Sequence, residues 1–238
     1  MHTREFLTDW VSRRKPARVL DYGCGAGEIV GALRERNIDT WGCDVFYEGG
    51  DYSTHIPTAL QPFIRRMQPA VPFESGSFDL VLSNQVFEHV PDMDFALREI
   101  ARVLKPGGIA VNIFPDRSIW REGHCGIPFL HRFPKGNLRV YYAATLRSLG
   151  LGYWTEGKTA LQWSRNFCQW LDNWTHYRPL HEIDRQFNAL IGPTEHVEED
   201  RFRGKFEGRF DTLPIWLQRL IVRKTGGLML VSVKTHVG

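Results

Sequence analysis

The chain has 238 residues, 42% of them hydrophobic and 24% charged, with a formal charge of +3. These values fit one ordinary globular core; no apolar run reaches the roughly 20 residues of a membrane helix, and no basic block points to nucleic acid. Met1 to Ala17, with His2, Arg4, Glu5, Asp9 and Arg13, lacks a signal peptide's apolar centre, so a single cytoplasmic domain spanning 1–238, with no membrane partner, is expected. Cys24, Cys43, Cys125 and Cys168 form no C-x-x-C pair and read as reduced thiols.

In chain order, "FLTDWV" places Phe6 and Trp10 at i, i+4 spacing and predicts a helix. "ARVLDYG" is a short apolar strand stopped by glycine, "GEIVGALRERN" a helix, and "DTWGCDV" a strand ending at Asp44. Six residues of breaker type, Gly49, Gly50, Pro57, Pro62, Pro69 and Pro72, make 46–73 irregular around one short helix near Leu60 to Met67. "SFDLVLSN" reads as a buried strand, "MDFALREIARVL" as an amphipathic helix and "GGIAVNIFP" as the strand after a Lys-Pro-Gly-Gly turn. Strand and helix in alternation imply a parallel sheet covered on both faces.

The stretch "VLDYGCGAGEIV" combines that first strand with glycines at every second position and an acid ahead of them. Residues without Cβ let the backbone turn sharply and let a ligand approach the free N–H groups of the helix start. Gly23, Gly25 and Gly27 are followed by Glu28 where a dinucleotide fingerprint needs glycine. Asp21 stands two residues before the first glycine, a poor neighbour for a pyrophosphate and a good one for a cation.

The sequence resembles class I S-adenosylmethionine-dependent methyltransferases: "VLDYGCGAG" is similar to their first motif, "WGCDV" to the second, "VPFESGSFDLVLSNQVFEHV" to the segment through the fourth strand, and "EIARVLKPGG" to the helix and turn before the fifth. The resemblance runs from about Arg18 to Pro115. It implies a Rossmann-like, doubly wound α/β fold with a mostly parallel seven-stranded sheet, an antiparallel last strand and a helical insertion after the fifth strand. It also implies S-adenosyl-L-methionine as cofactor. Asp21 with Gly23, Cys24, Gly25 and Gly27 would hold its amino acid end, Asp44 with Val45 its ribose, and Ser83, Asn84 and Gln85 its methionine portion. Many relatives carry an Asp-Ala pair ahead of the Pro-Phe before the fourth strand; counting back from Pro72 and Phe73 reaches Met67 and Gln68, which makes Gln68 the candidate adenine contact through its amide oxygen.

After Pro115 a long segment precedes "GGLMLVSVKT", the expected last strand, whose antiparallel partner falls in "FNALIGPTEHVEE". Residues 116–178 therefore read as an insertion, a lid over the substrate site. Within it Trp163, Phe167, Trp170, Leu171 and Trp174 share a helical face, a pattern of core or dimer surface before that of a substrate cage, which leaves a homodimer open. Glu122, His124 and His131 cluster in its first loop, and imidazole suits proton removal at neutral pH. His124 and His131 are thus the first catalytic candidates. His89, in "FEHVPD" at a helix start, reads as structural or cofactor-side before it reads as a base, and stands third. "EGHC" with a histidine six residues on has no recognised ligand spacing, so no metal is expected. The expected activity is methyl transfer to a small molecule or glycan at oxygen, with RNA methylation or non-catalytic cofactor binding as alternatives and nucleic acid not expected as a partner.

Overall fold

A computed structural model describes residues 3–155, 157–206 and 209–235; the expected domain of 1–238 thus includes termini, and the expected insertion one position, that lie outside the described residues. Helix α1 (Thr3–Arg14) leads into β1 (Arg18–Tyr22), α2 (Glu28–Arg34), β2 (Asp39–Asp44), β3 (Ile64–Arg66) and β4 (Phe78–Asn84). Then follow α3 (Met93–Val103), β5 (Leu104–Phe114), α4 (Asn137–Ser148), α5 (Ala160–Trp174), α6 (Leu180–Leu190), β6 (Thr194–His196), α7 (Glu198–Phe206), α8 (Ile215–Gly226) and β7 (Leu228–Val233).

The strands form one seven-stranded sheet in the order β3-β2-β1-β4-β5-β7-β6. All pairings are parallel except those of β7, which runs antiparallel to β5 and to β6. This is the architecture the motifs imply, including the antiparallel last strand. Alternation along the strands divides the core between two faces. Val19, Leu80 and Leu82 meet Phe6, Leu7, Ile29 and Leu33 on one side, while Leu20 and Val81 join Leu97, Ile100 and Phe187 on the other. Asp92 caps α3 by accepting from the Phe95 amide at 2.9 Å, which fixes where the chain enters that helix.

Two regions differ from the sequence expectation. The helix expected near Leu60 to Met67 is a 3₁₀ segment, Thr58–Phe63, running into the edge strand β3. Pro62 removes a backbone donor, and a three-residue, largely exposed edge strand has too few positions to show a period. Between β6 and β7 the chain also forms α7 and α8, clamped by Glu198 to Arg223 at 2.9 Å and Glu199 to Arg219 at 2.6 Å.

The segment after β5 builds a small core of its own: Cys125, Ile127, Leu130, Ala143, Trp163, Cys168 and Leu171, closed by α4 against α5. A capping box at Thr159 and Gln162 starts α5. Arg178 then fastens the segment to the main sheet, its guanidinium donating to the carbonyls of Phe87 (3.1 Å), Val90 (2.7 Å) and Pro91 (2.9 Å).

Candidate active site

The chain winds from β1 to β2 in one direction and to β4 in the other, so the crevice at the carboxyl ends of β1 and β4 is the topological switch point. A cavity of about 570 Å³ lies there. Asp21 enters it from the end of β1, Asp44 and Val45 from the end of β2, and Asn84 and Gln85 from the end of β4. Local sequence explains the shape. Gly23 has φ +76°, and a Cβ there would sit 2.4 Å from Val86 Cγ2; Gly27 has φ +82°, and its Cβ would meet Ile64 Cδ1 at 2.4 Å. Only glycine keeps this turn tight and its approach open.

The polar groups at this end are arranged for a cationic, hydroxyl-bearing ligand. Asp21 is only 2% exposed; burial first, and then the Asp44 charge, push its carboxyl up to about 8. A ligand cation beside it would reverse that shift. Asp44 is anchored by the amides of Gly25 (2.8 Å to Oδ2) and Phe46 (2.9 Å to Oδ1), and each of its oxygens keeps a second lone pair for a hydroxyl donor. Asn84 Oδ1 is buried without a hydrogen-bond partner and its residue lines the cavity, an acceptor that an ammonium would satisfy. Cys24 also lines the wall; burial pushes its thiol up, so it stays protonated.

Four expected contacts fall elsewhere. Gly27 is outside the cavity wall, its Cβ position turned toward Ile64 and Leu60. Gln68 is exposed and outside the cavity wall, which Met67 and Pro69 form instead. Ser83 is fully buried and donates to Asn112 Oδ1 at 2.8 Å, bracing β4 against β5 rather than facing the cavity. His131 lies off the cavity wall, with Nε2 donating to the Arg117 carbonyl at 3.2 Å and its ring 4.6 Å from that of Tyr177.

His89 and His124 do reach the cavity, and they meet each other: Nε2 to Nε2 is 3.1 Å. His89 sits in the turn after β4, four residues before α3 rather than at its start. Its Nδ1 donates to the Trp174 carbonyl at 2.7 Å, and burial drives its pKa down to about 4. His124 Nδ1 donates to Glu122 Oε1 at 2.7 Å; Glu122 in turn accepts from the Tyr177 hydroxyl at 2.7 Å and the Cys125 amide at 2.8 Å. Burial opposes ionisation of Glu122, yet these bonds, His124 first, hold its carboxyl down at about 2. Burial likewise opposes a charged His124, and Glu122 outweighs it, raising the ring above its ordinary value. The Trp170 ring, tilted 50° to that of His124 at 4.9 Å between centroids, also lines the cavity. Glu88 and Tyr177 are not among the residues the sequence motifs indicate, and Trp170 is indicated only as part of the aromatic stripe; for Glu88 the local signal is an acid beside a histidine in an otherwise apolar "VFEHV".

The sheet order and a glycine turn flanked by acids at the switch point agree with the resemblance of this part of the chain to class I S-adenosylmethionine-dependent methyltransferases. Residues 20–112 match the family described as "Methyltransferase domain". A ubiquinone biosynthesis O-methyltransferase from Bordetella avium is 30% identical over 112 residues, 44% of this chain and 45% of the relative. An uncharacterized methyltransferase from Mycobacterium sp. (strain JLS) is 36% identical over 96 residues, 39% of this chain and 36% of the relative. The chain thus spans less than half the length of these curated relatives. Among solved structures, an S-adenosylmethionine-dependent methyltransferase from Mesorhizobium loti shares the fold, with a TM-score of 0.52 at 18% identity over 95% of this chain and 97% of that one.

Proposed function

We propose that the chain transfers the methyl group of S-adenosylmethionine to a hydroxyl of a small-molecule or glycan acceptor. The observation that carries this reading is one cavity whose wall brings together two sets of groups: Asp21, the glycine turn and Asp44, and His89, His124 and Trp170. When bound, the cofactor supplies an electrophilic methyl group; the protein positions, desolvates and manages a proton. Asp21 and Asn84 receive the ammonium, and Asp44 receives ribose hydroxyls. Met67 gives the adenine an apolar neighbour in place of the expected Gln68. The His89 and His124 end receives the acceptor, whose hydroxyl must lose its proton on transfer. The O-methyltransferase in the name of the Bordetella relative supports oxygen as the accepting atom.

Residues 116–178 serve in this reading as the lid, because His124 and Trp170 bring part of that segment to the cavity wall. Among the described residues no helix is long and apolar enough to cross a membrane.

The cofactor assignment is tested by calorimetry on Asp21→Ala and Asp44→Ala. Each is expected to weaken S-adenosylmethionine by about 1.5 to 3 kcal/mol, the scale of a lost charged or bidentate hydrogen bond. Unchanged affinity in both variants removes the pocket assignment, whatever happens to turnover.

A further inference from the structure

The two rings at the acceptor end are held in one tautomer by partners that can only accept. His89 Nδ1 faces the Trp174 carbonyl and His124 Nδ1 faces the Glu122 carboxylate, so both Nδ1 atoms carry hydrogen and, in neutral rings, both Nε2 atoms present lone pairs. These lone pairs converge at 3.1 Å. Two bare acceptors repel at that distance, and a cation between them reverses the sign of the interaction. A proton would serve the pair, but it would leave Glu88 unexplained. That side chain is 1% exposed, and neither carboxylate oxygen has a hydrogen-bond partner. Burial pushes its carboxyl up to about 8. One ligand atom each from Glu88, His89 and His124 falls within a span of 4.8 Å.

We propose that Glu88, His89 and His124 form a binding site for one divalent transition-metal ion, of the Zn²⁺ class, at the acceptor end of the cavity. Two imidazole nitrogens at about 2.0 to 2.1 Å around a tetrahedral ion lie about 3.3 Å apart, close to the separation seen. Two histidines and one carboxylate leave further coordination positions for water or a substrate oxygen, and both rings line the cavity into which those positions open. The outer contacts also fit: a carboxylate on one ring and a backbone carbonyl on the other are the usual means of orienting metal-bound imidazoles. Glu122, tied in addition to Tyr177 and the Cys125 amide, is the orienting partner and not a ligand. The spacing of "EGHC" concealed the site because two of its three ligands come from the turn after β4. The role of the ion rests on the reading of this end as the acceptor site: it would act as a Lewis acid that acidifies the acceptor hydroxyl, whose proton goes to water, so that the alkoxide forms the O–CH₃ bond as the S–CH₃ bond of the cofactor breaks and S-adenosylhomocysteine leaves with the electron pair.

Binding is measured without cofactor or acceptor, so that failure of the ion site and failure of the methyltransferase reading stay distinct. Tag-free, chelator-dialysed full-length protein is titrated with Co²⁺, followed by visible absorption, and then with Zn²⁺ by displacement. One Co²⁺ per chain with d–d bands, displaced by Zn²⁺, is expected. His124→Ala and Glu88→Gln should each abolish stoichiometric binding, and Glu122→Gln should weaken Zn²⁺ roughly 10- to 100-fold. Absence of stoichiometric binding to the parent protein overturns the proposal, as does unaltered affinity in both His124→Ala and Glu88→Gln. Should those variants fail to fold, diethylpyrocarbonate labelling of the parent decides: Zn²⁺ should protect His124 while exposed His55 and His181 stay reactive, and equal labelling of His124 with and without Zn²⁺ overturns the site.

Discussion

Turnover of the His124→Ala variant is expected to fall by about 10² to 10⁴, the range for removing a group that manages the acceptor proton, with cofactor affinity within a few-fold of the parent. His89→Ala should behave alike, because the rings touch at 3.1 Å and share the cavity wall. His131→Ala is the contrast. Its ring is engaged with the Arg117 carbonyl off that wall, so its replacement should leave turnover within a few-fold. The measurement is initial rate at saturating acceptor, with calorimetry of S-adenosylmethionine as control. Loss confined to His131→Ala would place the acceptor elsewhere, and three near-parental rates would leave positioning alone to drive transfer.

The ordering of these histidines shows where sequence reasoning stopped. Asp21, Gly23, Gly25, Asp44, Asn84 and Gln85 were legible because each stands at the end of a strand that is itself legible, and the glycine turn and cavity follow from local backbone geometry. The acceptor end depends on contacts across long stretches of chain: His124 with His89 at a separation of 35 residues, and Tyr177 with Glu122 at 55. Nothing in the spacing of "EGHC" announces either. Gln68 and Met67 are adjacent, so an error of one residue in the count from Pro72 exchanges an exposed position for one on the wall. The strand β3 escaped for lack of length, whereas α7 escaped through composition: its charges pair with distant elements, as Glu198 does with Arg223 and Asp200 with the Trp10 indole at 3.0 Å.

The insertion allows a second large effect, on stability. Trp163 is fully buried in the small core after β5, its indole N–H donating to the Tyr153 carbonyl at 2.9 Å and its ring 4.8 Å from Phe167. Trp163→Ala opens a cavity there and is expected to cost about 3 to 5 kcal/mol. For a chain of this size that lowers Tm by roughly 6 to 20 °C if the loss is global. A global loss is the expected outcome, because the insertion is fastened to the sheet beside the site itself. The His176 amide donates to the Glu88 carbonyl at 2.6 Å, His89 donates to the Trp174 carbonyl, and Arg178 donates to Phe87 and Val90. Loosening α5 should therefore disturb His89 and the acceptor end before it disturbs Asp21 and Asp44. Calorimetric unfolding should show one transition at lower temperature, and amide exchange should quicken both in α5 and in β4. If exchange quickens in 137–174 alone while β4 keeps its parental protection, the insertion is a separate cooperative unit and its link to the sheet is weaker than these hydrogen bonds imply.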